Sequence, residues 1–571
     1  MIYALFCKGK VSCRVRTGLV FDARVELKTD SITVDTMNKL LERIDRLTEI
    51  GIALSAEKDT AKLLELIMMG AKTLTHADGG SLYFLKDDKL NFEIISNDTL
   101  GIQMGGTSGK KIEFDPLPLY LEDGSENHNM VVSHCVLSGK TVNIEDAYHE
   151  VGFDFTGARK FDNNTGYRTK SILTFPLKDH EREIIGVLQL INATDPDTHE
   201  VISFNELDQQ LAESLASQAA VALTQKRLLN ELQKLFEAFI KMIASAIDDK
   251  SPYTGGHCRR IPVLTMMLAE AVDETDKGPM KGFHIDSNDR YELETAAWLH
   301  DCGKVVTPEY VMDKSTKLET IYDRIHLVEQ RFEIILRDLE ISYLKNCMQA
   351  EKEGIPISRI TNQYEKESRQ LREDLKFIQQ VNIGGEFMTD EYIQRVKAIA
   401  GRQWTNIAGE QLSLLNEDEL MNLCIRKGTL NDREREIINH HIVATIKMLE
   451  SLPFPKHLKR VPEYAGGHHE KMDGTGYPKG LKKEEMSIQT RIMAIADIFE
   501  ALTASDRPYK KGKKLSECLK IMGYMKKDHH IDPDLFDIFM QKKVYLQYAQ
   551  EFLDPSQIDV MDEPSASGYL N

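Results

Sequence analysis

The 571-residue chain has no CxxC pair among its eight cysteines, only two tryptophans, no apolar run of the roughly 18 residues that a membrane helix needs, and no excess of basic charge. The scattered cysteines exclude a disulfide scaffold or a zinc ribbon and are expected to be reduced thiols. With 72 basic against 90 acidic residues the net charge is -18, which argues against a broad nucleic-acid footprint or an anionic membrane surface as partner. The opening MIYALFCKGK places its apolar stretch before its basic residues, the reverse of a secretory signal, so a soluble cytoplasmic protein is expected. What is present is ordinary globular composition, 42% hydrophobic and 28% charged. At roughly 150 residues per domain it predicts three or four structural units.

Residues 1–36 carry no interpretable motif and are expected to be an N-terminal extension. Residues 37–225 read as an α+β module. Leu40, Leu41, Ile44, Leu47 and Ile50 recur at helical spacing, SLYFL and FEII flank a polar turn, and SILTFPL and IIGVLQLI flank KDHERE, as two hairpins would. A helical pattern over 205–247 overlaps this module and the next. Its Leu229, Leu232, Phe236, Phe239 and Ile243 step by three and four, which is coiled-coil spacing and suggests a homodimer through a linker helix. Residues 235–552 are helical in pattern. An inserted helical hairpin is expected within 318–428, from the stripes Leu318 to Leu339 and Ile360 to Ile378. Residues 553–571, acidic and rich in turn formers, are expected to be a flexible tail.

The chemistry lies in the helical part. His300 and Asp301 are adjacent in WLHDCGK, His440 and His441 in INHHIV, and His468 and His469 in GGHHEK, with His257 and Asp497 nearby in pattern. Imidazole and carboxylate together suit iron, manganese or zinc, and three separate doublets predict a metal centre assembled from several helices. Gly474, Gly476 and Pro478 mark a loop around Tyr477, and Arg507 and Lys510 form a basic patch in an acidic chain.

HDCGKVVTP at 300–308, HHEKMDGTGYPKGL at 468–481 and RIMAIADIFEALTASDRPYK at 491–510 resemble, in order, the signature blocks of the HD-GYP phosphodiesterases, a branch of the HD metal-dependent phosphohydrolases. The resemblance implies an all-α domain that hydrolyses cyclic di-GMP, or a related cyclic dinucleotide, to the linear dinucleotide or GMP. It implies two divalent ions, iron or manganese, held by His257, His300, Asp301, His441, His468, His469 and Asp497. Asp301 would bridge them, and His441 is preferred to His440 on spacing. A third ion is not expected, because Tyr253 stands where some members have Glu. Asp301 and Lys304 are the expected catalytic residues, Lys304, Tyr477, Arg507 and Lys510 the substrate contacts. The loop Asp473, Gly474, Gly476, Tyr477 and Pro478 borders the site, and in this family it is linked to diguanylate cyclase partners, which leaves a catalytically weak receptor or scaffold as the alternative.

Residues 37–225 resemble a GAF sensor domain, through ADGGSLYFL and FDNNTGYRTKSILTFPLKDHEREIIGVLQLIN. The resemblance implies regulation by a ligand of unknown identity, with Asn192, Phe204 and Asp208 as candidate contacts. Ala193 and Gln209 replace a Lys and a Glu of the nucleotide-binding pattern, which removes an expected ion pair. Asp301 and His441 are 140 positions apart, far more than the HD-GYP pattern needs, and this is the arithmetic of the insertion. The whole is a multidomain chain: an α+β GAF domain, a long helical linker, and an all-α HD-type metal phosphohydrolase domain with a helical insertion.

Overall fold

The computed structural model describes residues 4–7, 10–13, 31–250, 256–385, 387–505 and 512–560. The chain divides into two compact units, Met1–Lys234 and Leu235–Asn571.

The first unit opens with a short hairpin, β1 (Ala4–Cys7) and β2 (Lys10–Cys13), and a helix α1 (Ser31–Ala56), so ordered elements lie inside the segment read as an extension. Then follow α2 (Thr60–Thr75), β3 (Ala77–Lys86), β4 (Lys89–Asn97), β5 (Ile102–Gly105), β6 (Leu117–Pro118), α3 (Val131–Ser138), β7 (Val142–Ile144), α4 (Thr156–Thr165), β8 (Ile172–Lys178), β9 (Ile184–Thr194), β10 (Val201–Ile202) and α5 (Glu206–Lys250). The main sheet is antiparallel in the order β5-β4-β3-β9-β8-β7. Both expected hairpins form. Asp87 and Asp88 turn β3 into β4 with positive φ at both positions, the twist that suits a two-residue hairpin. The central strands are apolar on both faces because both are covered. Leu82, Leu188 and Leu190 pack with Leu64, Ile67 and Leu215 of the α2 and α5 side, while Tyr83 and Val187 meet Val132 and Cys135 of α3.

Asn192, Phe204 and Asp208 are all buried in this framework. Asn192 accepts from the Lys170 amide at 2.7 Å and donates to the Tyr167 hydroxyl and the Arg168 carbonyl, and Phe204 belongs to the core. Arg43 of α1 reaches Asp208 at 2.6 Å, an ion pair across 165 positions that no local motif could reveal.

The second unit contains the end of α5, then α6 (His257–Asp273), α7 (Ser287–Leu299), α8 (Glu309–Met312), α9 (Ile325–Glu353), α10 (Ser358–Asn382), α11 (Asp390–Ala400), a hairpin of β11 (Gln403–Thr405) and β12 (Gln411–Ser413), α12 (Glu417–Leu423), α13 (Asp432–Glu450), α14 (Val461–Gly466), α15 (Ile488–Thr503), α16 (Leu515–Lys527), α17 (Pro533–Gln541) and α18 (Val544–Phe552). Its main core joins α6, α7 and α14 to α18 around Phe499, Phe536 and Phe539. The insertion is more than a hairpin. α9 and α10 pack with α11 and α12 around a core of their own, including Phe332, Ile378, Val396 and Leu423. The segments that flank it are joined by a buried ion pair, Lys314 to both carboxylate oxygens of Glu434 at 2.8 Å, where Glu434 also closes the capping box that starts α13. The first part of the expected tail is packed too: the Gln557 amide donates to the Thr503 and Lys513 carbonyls.

Candidate metal centre

Five segments converge on one buried cluster. His257 is the first residue of α6, His300 closes α7, Asp301 starts the turn that follows, His441 lies mid-way along α13, His468 and His469 follow α14, and Asp497 lies on α15. The α7 to α13 approach depends on Gly303. A Cβ there would stand 2.0 Å from the His441 carbonyl oxygen and 2.5 Å from the Thr445 amide, so only glycine lets the helix pass this close. Thr445 uses the contact: its hydroxyl accepts from the Gly303 amide at 2.9 Å and donates to the His300 carbonyl.

The imidazoles are oriented alike. The Nδ1 of His300, His441 and His468 donates to the carbonyl three residues back, of Ala297, Ile438 and Ala465. That leaves each Nε2 with its lone pair turned inward, the tautomer of a metal-ligating histidine. His257 instead donates from Nδ1 to Glu500 at 2.5 Å, and Glu500, Asp301 and Asp497 outweigh burial and raise its pKa well above the usual value.

Asp301 stands at the middle. Its Oδ2 lies 3.3 Å from His257 Nε2, 3.2 Å from His300 Nε2 and 2.5 Å from the Lys304 ammonium, while its Oδ1 lies 3.3 Å from His441 Nε2. Asp497 Oδ1 lies 3.4 Å from His257 Nε2. Three overlapping donor groups result: His257, His300 and Asp497; His300, Asp301 and His468; His441, His468 and His469. His440 is exposed on α13 and outside the cluster. Tyr253, Arg507 and Lys510 lie outside the described residues.

The donor set fits divalent cations. Asp301 Oδ1, His441 Nε2 and His468 Nε2 are buried without a hydrogen-bond partner among the described residues, and a buried lone pair without a partner is costly. His257 Nε2 and His300 Nε2 face each other at 3.2 Å, a contact that a shared cation relieves. Electrostatics agree. Burial opposes charge on Asp301, but Lys304 and His300 outweigh it and hold the carboxyl well below its usual range. Burial also opposes charge on Asp497 and is overcome chiefly by its hydrogen bond with His257, so both carboxylates stay ionised. Burial, with His469 and His300 beside it, keeps His468 neutral far below its usual pKa, and burial brings His469 down to about 4.

The Asp473–Pro478 loop lies against the cluster. The Tyr477 ring stacks on His469 with centroids 4.9 Å apart, and burial, with the charges of Asp497 and Asp301, pushes its hydroxyl pKa up. Asp473 accepts from the Thr475 amide and hydroxyl and shapes the turn. Two residues escaped the sequence reading. Glu470, fully buried, accepts from the Lys479 amide at 2.7 Å and the Leu481 amide at 2.9 Å and so straps the loop to the histidine doublet. Glu500, one turn beyond Asp497 on the same face of α15, orients His257 and is itself held by Arg260. Adjacency to HH and i, i+3 spacing from Asp497 were the signals available.

The chain is thus an α+β unit followed by an α-helical unit that carries a histidine and aspartate cluster. Residues 59–223 match the GAF domain family and residues 417–535 the HD domain family. The HD match begins beyond most of the insertion and contains His441, His468, His469 and Asp497. Over 114 residues, 19% of this chain and 23% of the relative, it is 41% identical to the 3′3′-cGAMP-specific phosphodiesterase 3 of Vibrio cholerae. Over 116 residues, 20% and 26% of the two chains, it is 36% identical to a cyclic di-GMP phosphodiesterase of Pseudomonas aeruginosa. The chain spans about a quarter of the length of these relatives. The GAF domain of an Acinetobacter phosphoenolpyruvate-protein phosphotransferase aligns with 33% of this chain and 98% of its own, at 15% identity and a TM-score of 0.24. Among the described residues no helix is long and apolar enough to cross a membrane.

Proposed function

We propose that the protein is a metal-dependent phosphodiesterase of the HD-GYP kind that opens cyclic di-GMP or a related cyclic dinucleotide to the linear dinucleotide or GMP, under control of its GAF domain. The observation that carries this reading is the set of inward-turned imidazole Nε2 atoms around Asp301, on a helical unit similar to named cyclic-dinucleotide phosphodiesterases. Two divalent cations, iron or manganese, would be held by His257, His300, Asp301, His441, His468, His469 and Asp497. When bound, such ions supply Lewis acidity to a phosphodiester and make water acidic enough to attack at neutral pH.

The remaining work falls to the chain. Asp301, kept ionised chiefly by Lys304, is the anion at the middle of the cluster, and His300 and His468 are the residues that the donor groups share. Lys304 keeps a raised pKa because Asp301 and Asp497 outweigh its burial, and its ammonium adds positive charge where a phosphate would dock. Tyr477 offers its ring to a guanine or its hydroxyl to a phosphate beside the centre, and Glu470 fastens the chain that follows it through the Lys479 and Leu481 amides. Arg507 and Lys510 are proposed as further phosphate contacts. The distant surface acids are screened beyond about 8 Å at physiological salt, so net charge does not oppose an anionic substrate. The protein is taken to work in the cytoplasm as a homodimer joined through α5, and the Asp473–Pro478 loop is a candidate surface for a diguanylate cyclase.

Anaerobic purification with metal analysis, followed by turnover of cyclic di-GMP and 3′3′-cGAMP, tests this directly. About two ions per chain and hydrolysis of at least one dinucleotide are expected. Saturating the protein with Mn²⁺ at about 100 times Kd should also stabilise it by about 2.7 kcal/mol, read as a raised Tm. Binding of the dinucleotide with metals in place and no cleavage would replace the enzyme with a receptor. Glu470→Gln leaves one of two loop amides without its acceptor; metal content is expected to hold while KM rises several-fold, and an unchanged KM would remove the loop from the substrate site.

A further inference from the structure

The last turn of α5 touches two of the segments that bear the metal-site residues, and it does so with opposite charges two residues apart. Helix α6 begins at His257 after Gly256, which has no side chain to cap it, so its first amides lack an intrahelical partner. Asp248 of α5, buried, supplies the acceptors: its Oδ2 takes the Gly256 amide at 3.1 Å and its Oδ1 the Cys258 amide at 3.4 Å, one on each side of His257. Lys250, the final residue of α5, does the converse at the turn Cys302–Val306 that follows Asp301. Its ammonium donates to the carbonyls of Lys304 at 3.2 Å, Val305 at 2.5 Å and Thr307 at 2.6 Å, which uses all three of its protons. An acid at a helix start and a base at a turn's end are each the charge that the exposed backbone groups prefer.

We infer that Asp248 and Lys250 are positioning residues for the metal centre: they hold His257 and the Asp301 to Lys304 turn in register from one helix end, so that the placement of this end sets how tightly the centre binds its ions. Neither residue touches the donor groups. They act through backbone that carries His257 on one side and Asp301 and Lys304 on the other. A rotation or axial slip of the end of α5 would move both caps together and pull the two ligand-bearing segments out of mutual register. The inference rests on the proposed metal-dependent reading and adds to it a route by which the helix can tune activity.

Mn²⁺ titration of the full chain, with Tm and dinucleotide turnover measured alongside, tests it on Lys250→Met, Lys250→Arg, Asp248→Asn and, as control, Lys241→Met. Lys241 lies on the same helix with its ammonium 5.8 Å from the Trp298 ring and serves neither cap. Loss of an outer partner of a metal site weakens binding by roughly 10–100-fold, and that is the expected fall in Mn²⁺ affinity for Lys250→Met and Asp248→Asn. Lys250→Arg should recover most of it, and Lys241→Met should bind Mn²⁺ as the wild type does even if its Tm drops. Should Lys250→Met not fold, Asp248→Asn carries the test. Wild-type affinity in the folded cap variants, or an equal loss in Lys241→Met, overturns the inference while leaving the enzyme reading intact. A wild-type protein that binds no divalent metal overturns both.

Discussion

Asp301→Asn is expected to abolish dinucleotide hydrolysis and strip the protein of its metal. The carboxylate faces three imidazoles and one ammonium, with both oxygens engaged on different sides, and asparagine keeps the shape while removing the charge. Lys304 then remains beside a neutral amide in a mostly buried position. Leaving one member of a buried pair uncompensated costs about 3–5 kcal/mol, which in a rate or a binding constant is about 10²- to 10⁴-fold. Circular dichroism should be preserved, because the segments around Asp301 are held independently by Thr445, Lys250 and the carbonyl bonds of the histidines. The neighbouring doublet offers the internal control. His441→Ala removes an inward Nε2 and should lose metal in the same way, whereas His440→Ala alters an exposed side chain on the same helix and should retain both metal and turnover. Equal loss in the two histidine variants, or retained turnover in Asp301→Asn, would end the assignment of this cluster as the reaction centre.

The α+β and all-α division could be read in advance because its signals are local. Alternating apolar runs with polar turns gave the β3–β4 and β8–β9 hairpins, and the doublets of histidine sat within recognisable strings. Residues whose roles depend on long-range partners could not be read. Arg43 completes an ion pair with Asp208 across 165 positions, and Glu500 orients His257 across 243. No pattern around Arg43 announces its partner, and for Glu500 the i, i+3 spacing from Asp497 marks the face it shares but not the histidine it reaches. The insertion was visible as excess length, but its short strands β11 and β12 and its separate core were not, since a three-residue strand has too little alternation to register. Asn192 in the first unit shows the same limit: it bonds the backbone of Arg168 and Lys170, and sequence does not separate that use from ligand binding.

Leu232→Glu is expected to convert a dimer to a monomer. Two apolar stripes run along α5, and sequence alone mixes them. Phe236, assigned to the seam from its spacing, instead packs against Phe454 in the core of the second unit, with ring centroids 6.5 Å apart. Leu229, Leu232, Phe239 and Ile243 of that spacing are exposed, and Leu228, Leu232, Leu235, Phe239 and Met242, each 50–62% exposed, form a continuous run in steps of four and three. Large side chains exposed at that spacing on one helix match the a and d positions of a coiled coil, and a second copy of the same helix has the complementary surface by symmetry. Burying a leucine is worth about 1.5–3 kcal/mol, and a symmetric dimer contains each position twice, so one substitution removes roughly 3–6 kcal/mol before any cost of burying the glutamate. That is a weakening of about 10²- to 10⁴-fold, enough to move a micromolar dimer beyond the range of sedimentation velocity. Ser245→Glu, on the same helix but outside the seam, should leave the dimer alone. Persistence of the dimer in Leu232→Glu, or a wild type that sediments as a monomer at tens of micromolar, would place the association elsewhere or remove it.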